Sequence, residues 1–110
     1  MAGAVRTHRD ILHVLLRAKP CLRKAILKEL PEAVIRTICE ICYNIISGAV
    51  PLPPAKKAKL SKHKNILRSL ARRGEKLNKK RKTLQQKGGA FLPVLLGTVL
   101  SSLFGSVLAR

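Results

Sequence analysis

The sequence is poor in aromatic and acidic side chains. Among its 110 residues there are three aromatic ones, Tyr43, Phe91 and Phe104, and five Asp or Glu residues. Proteins that bind single-stranded nucleic acid usually stack bases on aromatic rings, so this mode is a poor fit. The few acids are scattered, no glycine-rich phosphate loop is present, and the histidines lie in basic surroundings. We therefore expect a protein that is not an enzyme and that uses no cofactor.

Cysteine is also scarce, with Cys21, Cys39 and Cys42 as the three thiols. An odd, small number of cysteines in apolar surroundings argues against a secreted disulfide scaffold, and the first ten residues lack the apolar core of a secretory signal. Cys39 and Cys42 form a C-x-x-C pair, but a structural zinc site needs four ligands and no recognised spacing supplies them. We expect both thiols to be buried packing residues, no metal site, and synthesis in a reducing, intracellular compartment.

Positive charge is abundant and unevenly distributed. The chain has 23 Lys and Arg residues and a formal net charge of +18. Residues 55–87 hold fourteen of these cations and one acid, a net charge of +13, whereas residues 1–54 carry +4 and residues 88–110 carry +1. A segment of this kind repels itself until a polyanion neutralises it, which predicts an anionic partner.

The spacing of apolar residues is helical throughout, so we predict an all-α fold. Residues 5–48 are predicted to form a small helical cluster, with Thr7 capping the first helix and proline opening the next two, at Pro20 and Pro31. Gly48 is the predicted end of the third helix. Only residues 5–54 are expected to supply a packed core. For the second helix, the predicted apolar face consists of Leu22, Ile26 and Leu30.

Three further segments follow the predicted cluster. Residues 49–54 contain three prolines and predict a stiff, extended linker. Residues 55–87 form a lysine-rich segment. We predict one helix from Ala55 to Arg73 and a second from Glu75 to Gln86 that frays in water by charge repulsion and becomes helical when bound to phosphate. A Gly-Gly junction and an apolar tail, predicted to be a C-terminal helix, occupy residues 88–110.

The apolar tail has no charge from Ala90 to Ala109. Twenty helical residues extend about 30 Å, the thickness of a hydrocarbon core. Gly97, Ser101 and Gly105 recur every four residues and predict a face for close helix packing. The tail is consistent with a membrane anchor, a membrane-active peptide, or a segment that docks in a protein shell, and composition does not choose among these.

The lysine-rich segment predicts binding to the phosphate backbone of double-stranded DNA. Lysines gain affinity by releasing condensed counterions, and no motif that reads a DNA groove is present. Two short runs, Lys56–Lys59 and Lys79–Lys82, have the form of nuclear import signals. The residues expected to contact phosphates are Lys56, Lys57, Lys59, Lys62, Lys64, Arg68, Arg72, Arg73, Lys76, Lys79, Lys80, Arg81 and Lys82.

The junction and its flanks resemble a family of viral core proteins. Lys87-Gly88-Gly89, Leu92-Pro93 and the apolar stretch through Leu108 resemble adenovirus core protein X, the precursor of the mu peptide. With the segment AKPCLRKAILKELPEAVIRTICEICYNIISGAVPL, the pattern is more similar to the X-like proteins of adintoviruses and related Maverick/Polinton elements. This second resemblance covers roughly residues 10–108.

The resemblance implies a virion protein that condenses genomic DNA and is found in the virion and the host nucleus. It also implies cleavage by a viral cysteine protease after the double glycine, between Gly89 and Ala90. Adenoviral cleavage sites prefer Met, Ile or Leu four residues before the cut, where this chain has Gln86. The adenoviral protein is richer in arginine, whereas this chain uses mostly lysine, which binds phosphate as a point charge.

We therefore expect a virion core protein in which the lysine-rich segment condenses double-stranded DNA. The helical cluster is expected to self-associate or to contact other virion proteins, and the tail to contact membrane or capsid. The alternative is a membrane-anchored or membrane-active protein whose lysines bind anionic lipid, for which polybasic segments are well suited. A host chromatin or ribosomal accessory protein is a third, weaker hypothesis, because such proteins rarely need an apolar tail.

Overall fold

The structure of the chain is a computed structural model. It describes the backbone of residues 2–50 and 52–108 and the side chains of residues 3–50 and 52–101. In that part the chain forms helices and no strand, which confirms the predicted all-α class. The radius of gyration is 12.8 Å, and the molecule measures 33 × 27 × 25 Å. The helices are α1 (Ala2–Thr7), α2 (Arg9–Arg17), α3 (Pro20–Glu29), α4 (Glu32–Ile46), α5 (Pro54–Ser61), α6 (Lys64–Ala71) and α7 (Leu77–Leu108).

Helix α7 is the centre of the bundle and packs against α2, α3, α4, α5 and α6. Its apolar half is at most 1 % exposed at Phe91, Leu92, Leu95, Leu96, Val99 and Leu100. These side chains share one core cluster with residues of all the other helices. The prediction that only residues 5–54 supply the core was therefore wrong. Each of these six large apolar groups stabilises the fold by about 1.5–3 kcal/mol when it is fully removed from water, which favours burial of this helix.

The N-terminal helices begin and end close to the predicted positions, with one exception. Helix α3 begins at Pro20, α4 follows Pro31, and Gly48 takes a left-handed backbone with a φ of 80° just after α4. The predicted Thr7 cap was wrong, because Thr7 lies inside α1 and its hydroxyl donates a hydrogen bond to the Gly3 carbonyl at 2.9 Å. His8 precedes α2 without a side-chain cap.

The basic segment differs in detail from the prediction. The predicted helix from Ala55 to Arg73 is two helices, α5 and α6, separated at Lys62 and His63. The His63 ring makes an edge contact with Phe91, with the ring centroids 5.8 Å apart. Gly74, with a φ of 86°, lies in the loop to α7. Helix α7 then runs without interruption through the predicted junction at residue 88. Three residues of the predicted tail, Gly105, Ala109 and Arg110, lie outside the residues whose side chains are described.

Helix α3 buries a different face from the predicted one. Leu22 is 53 % exposed, whereas Arg23 is 5 % and Leu27 1 % exposed. Leu30, at the end of the helix, is buried as predicted, and Ile26 packs against the edge of the core. A buried arginine thus takes the place of an apolar residue, and its hydrogen bonds explain the change.

The Arg23 guanidinium joins the end of α2 to the middle of α7. Its Nε donates to the Leu15 carbonyl at 2.8 Å, Nη2 donates to the Ala18 carbonyl at 2.6 Å, and Nη1 donates to the Gly89 carbonyl at 2.8 Å. The carbonyls at the end of α2 lack helical partners and carry partial negative charge, so they suit a cation.

The Gly89 carbonyl needs a donor for a separate reason. In a regular helix its partner is the N–H four residues later, but that residue is Pro93, which has none. Arg23 supplies the missing hydrogen bond from outside the helix. The Gly89 carbonyl thus has a donor despite Pro93, and the buried Arg23 guanidinium has polar partners in place of water.

A second arginine, Arg81, makes another hydrogen bond between α3 and α7. Arg81, on α7, donates from Nη1 to the Leu27 carbonyl in the last turn of α3 at 2.9 Å. Because Arg23 pairs with Gly89 and Arg81 with Leu27, α3 runs antiparallel to α7. Gly88 is buried between the two helices, and a Cβ atom there would lie 3.3 Å from Leu92 Cδ1 and 4.0 Å from Leu27 Cδ1.

Candidate nucleic-acid interface

The cationic helices are anchored by a narrow row of apolar residues. Leu60 on α5, Leu67 and Leu70 on α6, and Leu84 on α7 are all buried. This row holds the basic helices against the bundle and leaves most Lys and Arg side chains on the outside. The apolar row fixes the helix backbones from which the Lys and Arg side chains extend into solvent.

The lysines of α5 lie on two sides of that helix. Lys56 and Lys59 line a groove of about 370 Å³ together with Pro93 and Gly97 of α7. Lys57 lines a different groove, of about 340 Å³, between α5 and the end of α4. The positive charge of this short helix therefore flanks the buried half of α7 instead of forming one flat patch.

The loop between α6 and α7 holds a small ion-pair network around Glu75. The Glu75 carboxylate lies 3.2 Å from Arg72 Nη1 and 3.5 Å from Lys79 Nζ. Partial desolvation raises the pKa of Glu75, but the charges and hydrogen bonds of Lys79 and Arg72 outweigh it, so the pKa lies below its usual value. The Arg72 and Lys79 side chains are 65 % and 70 % exposed, and ion pairs at a protein surface contribute little to stability, so both cations remain available to phosphate.

Arg73 contacts an aromatic ring on α4. Its Cζ atom lies 4.3 Å from the centroid of the Tyr43 ring, a distance typical of a cation–π contact. Arg73 and Lys80 then line one cleft between α4, α6 and α7, together with Arg36. Arg36 was not among the predicted contacts, because it lies outside the lysine-rich segment and only the packing of α4 on α6 brings it there.

The two buried thiols lie on the inner side of α4. Cys39 and Cys42 are buried, as the sequence predicts, and Cys21 is exposed. Desolvation raises the pKa of Cys39 despite the opposing charge of Lys80, and it raises the pKa of Cys42 further with help from Cys39. Both thiols are therefore protonated at neutral pH and are poor nucleophiles.

The predicted phosphate contacts divide into two groups by exposure. Lys56, Lys80 and Arg81 are partly buried, and Arg81 is already bonded to the α3 backbone. The other ten are exposed, namely Lys57, Lys59, Lys62, Lys64, Arg68, Arg72, Arg73, Lys76, Lys79 and Lys82. Whether any of them contacts DNA stays a prediction.

The sequence analysis did not predict a role for Arg23, which is buried. The one feature of the sequence that could have indicated it is Pro93, which leaves the Gly89 carbonyl without a helical donor.

The predicted cleavage residues lie within α7. Gly88 is buried, Gly89 and Ala90 are exposed, and the Gly89 carbonyl accepts the Arg23 hydrogen bond.

Among the residues that the structure describes, no helical stretch combines the length and hydropathy of a membrane span. In the same part of the chain, no cluster of three His, Cys, Asp or Glu side chains is placed to bind a metal ion.

Comparison with known proteins adds no assignment for this surface. No family model, curated protein sequence or solved structure matches the chain. Its charges and their setting in the bundle are therefore the basis for inferring what it does.

Proposed function

We propose that this chain is a virion core protein that binds and condenses double-stranded DNA through its phosphates, without sequence specificity. The supporting observation is the display of a net +13 charge, from residues 55–87, on helices whose apolar sides are buried in the bundle. Duplex DNA carries one phosphate charge per about 1.7 Å of axis. A body 33 Å long therefore faces roughly 19 phosphate charges, close to its own net charge of +18.

The distribution of charge supports condensation as well as binding. Lys56 and Lys59 lie on one side of α5, Lys57 lies on another, and Arg73 and Lys80 lie beside α4. A single-sided patch suffices to bind one duplex, whereas cations on several sides of one small body let it bridge two. Bridging with charge neutralisation is what brings DNA segments together.

The proposed location is the virion and the host nucleus. It rests on the resemblance and on the two lysine runs at Lys56–Lys59 and Lys79–Lys82, most of whose side chains are exposed on α5 and α7. Self-association, or contact with other virion proteins, is proposed for the helical cluster of residues 5–48. Contact with capsid or membrane is proposed for the tail after α7 opens, because six of its apolar residues between Phe91 and Leu100 are buried in the bundle.

A viral cysteine protease is the partner proposed for the Gly89–Ala90 bond. Proteases bind their substrates as extended backbone, and glycine makes that conformation easy to adopt. Here the bond lies in a helix whose Gly89 carbonyl is held by Arg23. Cleavage therefore requires α7 to open first, and it would separate the cationic helices from six buried residues of the core.

The test is the affinity of the full chain for random-sequence duplex DNA across a salt series. We expect a linear fall of log K with log salt, with a slope that does not change with DNA sequence. A variant with Lys56, Lys57 and Lys59 changed to Gln should reduce the slope by about 3. The matched control changes three exposed lysines at or next to α3, Lys19, Lys24 and Lys28, to Gln.

Light scattering with long duplex DNA measures condensation in the same samples. Equal losses in the two triple variants would show that only net charge matters and that α5 has no special part. Salt-insensitive or sequence-dependent binding would overturn the proposal. So would stronger binding to anionic lipid vesicles than to DNA, which would favour the membrane alternative.

A further inference from the structure

The cleft between α4, α6 and α7 brings cations together from three helices. Its volume is about 440 Å³, and its charged lining consists of Arg36 from α4, Arg73 just after α6, Lys80 from α7, and one carboxylate, Glu40. Clefts of roughly 300–1,000 Å³ are the usual size for small ligands. Three cations against one acid favour an anionic ligand of that size.

The rest of the lining is apolar and aromatic. Leu70, Ala71 and Leu77 form part of the wall, and Tyr43 is 38 % exposed beside them. Tyr43 and Asn44 add a phenol and an amide at the same place. A bare inorganic anion would leave this apolar surface uncovered, whereas a ligand that joins an anion to a flat organic group would contact both kinds of surface.

The cations are positioned to receive a phosphate. The Arg73 Cζ atom lies 4.3 Å from the centroid of the Tyr43 ring, and a guanidinium can donate two parallel hydrogen bonds to one phosphate. The Arg36 side chain is 69 % exposed, and its pair with Glu32 on the same helix is 3.6 Å long. Such a pair is weak, so Arg36 can turn to a ligand at little cost.

We propose that this cleft binds a nucleotide, with the phosphate on Arg36, Arg73 and Lys80 and the nucleoside against Tyr43 and Leu77. The inference deepens the proposed DNA binding, on which it rests for the source of the nucleotide. A base inside a duplex cannot reach such a cleft, so the site would take nucleotides at strand ends or in unpaired stretches. It would add a local preference to binding that is otherwise indifferent to sequence.

The test uses the single tyrosine of the chain. Because Tyr43 is the only Tyr and Trp is absent, the ring protons of Tyr43 report on this cleft by NMR. The full chain is titrated with thymidine 5′-monophosphate, thymidine or inorganic phosphate at constant ionic strength. We expect saturable shifts with the nucleotide, at least tenfold weaker binding of inorganic phosphate, and no saturation with thymidine.

Two variants and a control locate the binding. Arg36→Gln and Lys80→Gln should each weaken nucleotide binding by about tenfold, the expected loss for a charged hydrogen bond. Arg17→Gln, an exposed cation of α2, should leave it unchanged. Equal affinity for inorganic phosphate and nucleotide, or equal loss in all three variants, would overturn the nucleotide site.

The same variants separate this inference from the proposed function. If Tyr43 does not respond to the nucleotide while random duplex DNA still binds with a steep salt slope, the cleft is not a nucleotide site and the DNA-binding proposal stands. If the nucleotide binds but duplex affinity is insensitive to salt, the cleft is supported and the genome-condensing function is wrong.

Discussion

The two halves of α7 differ in composition but belong to one continuous helix. From Lys79 to Lys82 every side chain is cationic, whereas from Phe91 to Leu100 none is charged. The sequence changes character at Gly88, but the helix continues through it. A change of composition therefore marks a change of surroundings along one helix, from the surface of the bundle to its centre, and not a boundary between structural units.

The two halves also differ in what holds them. The apolar half is fixed by six buried side chains, each worth about 1.5–3 kcal/mol when fully buried. The cationic half is fixed by Leu84 and by the Arg81 hydrogen bond to α3. Stability should therefore depend mainly on the apolar half, and affinity for polyanions on the cationic half.

Removal of a core side chain from the apolar half tests this difference most severely. Phe91→Ala should reduce the free energy of unfolding by about 3–5 kcal/mol, because it leaves a cavity and removes the contact with His63. Urea denaturation followed by circular dichroism measures the change. Small domains have about 5–15 kcal/mol in total, so much of the stability would be lost.

The matched control lies in the cationic half. Lys82→Ala should change the free energy of unfolding by less than about 0.5 kcal/mol, since Lys82 is exposed and makes no described contact with the core. If Phe91→Ala were as mild as Lys82→Ala, the apolar half of α7 would not be the centre of the core.

The second prediction concerns the point where the halves meet. Arg23→Met should cost about 3 kcal/mol, because it leaves the Gly89 carbonyl and the end of α2 without their charged donor. In a Pro93→Ala background, the backbone N–H of residue 93 can bond Gly89 again. The cost of Arg23→Met should then fall by about 1 kcal/mol, measured as the coupling in a double-mutant cycle.

An additive cycle would contradict the role assigned to Arg23 at Pro93. Arg17→Met, on the exposed side of α2, serves as the control and should couple to Pro93→Ala by less than about 0.5 kcal/mol.

The bounds of α3 and α4 could be predicted from the sequence, whereas the packing of the helices could not. Pro20, Pro31 and Gly48 act on the adjacent backbone, so their effects are local and readable. The burial of α7 depends on five other helices closing around it, which no local pattern encodes. A run of apolar residues long enough to suggest a membrane helix has the same composition as one at the centre of a small bundle.

The candidate site shows the same limit. Composition identifies the cations of residues 55–87, but it does not separate Arg81, bonded to Leu27, from its exposed neighbour Lys82. Nor does it include Arg36, which reaches the cleft only because α4 packs on α6. Residue types indicate that the partner is anionic. The fold determines which cationic side chains are exposed and able to bind that partner.

Arg81 and Lys82 provide the third prediction, as adjacent residues with opposite roles. Arg81→Gln should lower the free energy of unfolding by about 1–2 kcal/mol, through loss of the charged hydrogen bond to α3. Lys82→Gln should leave stability unchanged but reduce the slope of log K against log salt for duplex DNA by about 0.9. Arg81→Gln should leave that slope nearly unchanged in conditions where it is folded. Equal effects of both changes on the slope would place Arg81 at the DNA surface instead.

A milder substitution tests the junction between the two halves of α7. Gly89→Ala should raise the free energy of unfolding by about 0.5–1 kcal/mol, because alanine favours the helix and restricts the unfolded chain. A Cβ atom at residue 89 would meet nothing within 4 Å, whereas one at residue 88 would crowd Leu92 at 3.3 Å, so Gly88→Ala should gain less. Thermal melts of the two variants measure the difference. If Gly89→Ala were destabilising, residue 89 would not be helical and α7 would be two elements after all, one for each half of its sequence.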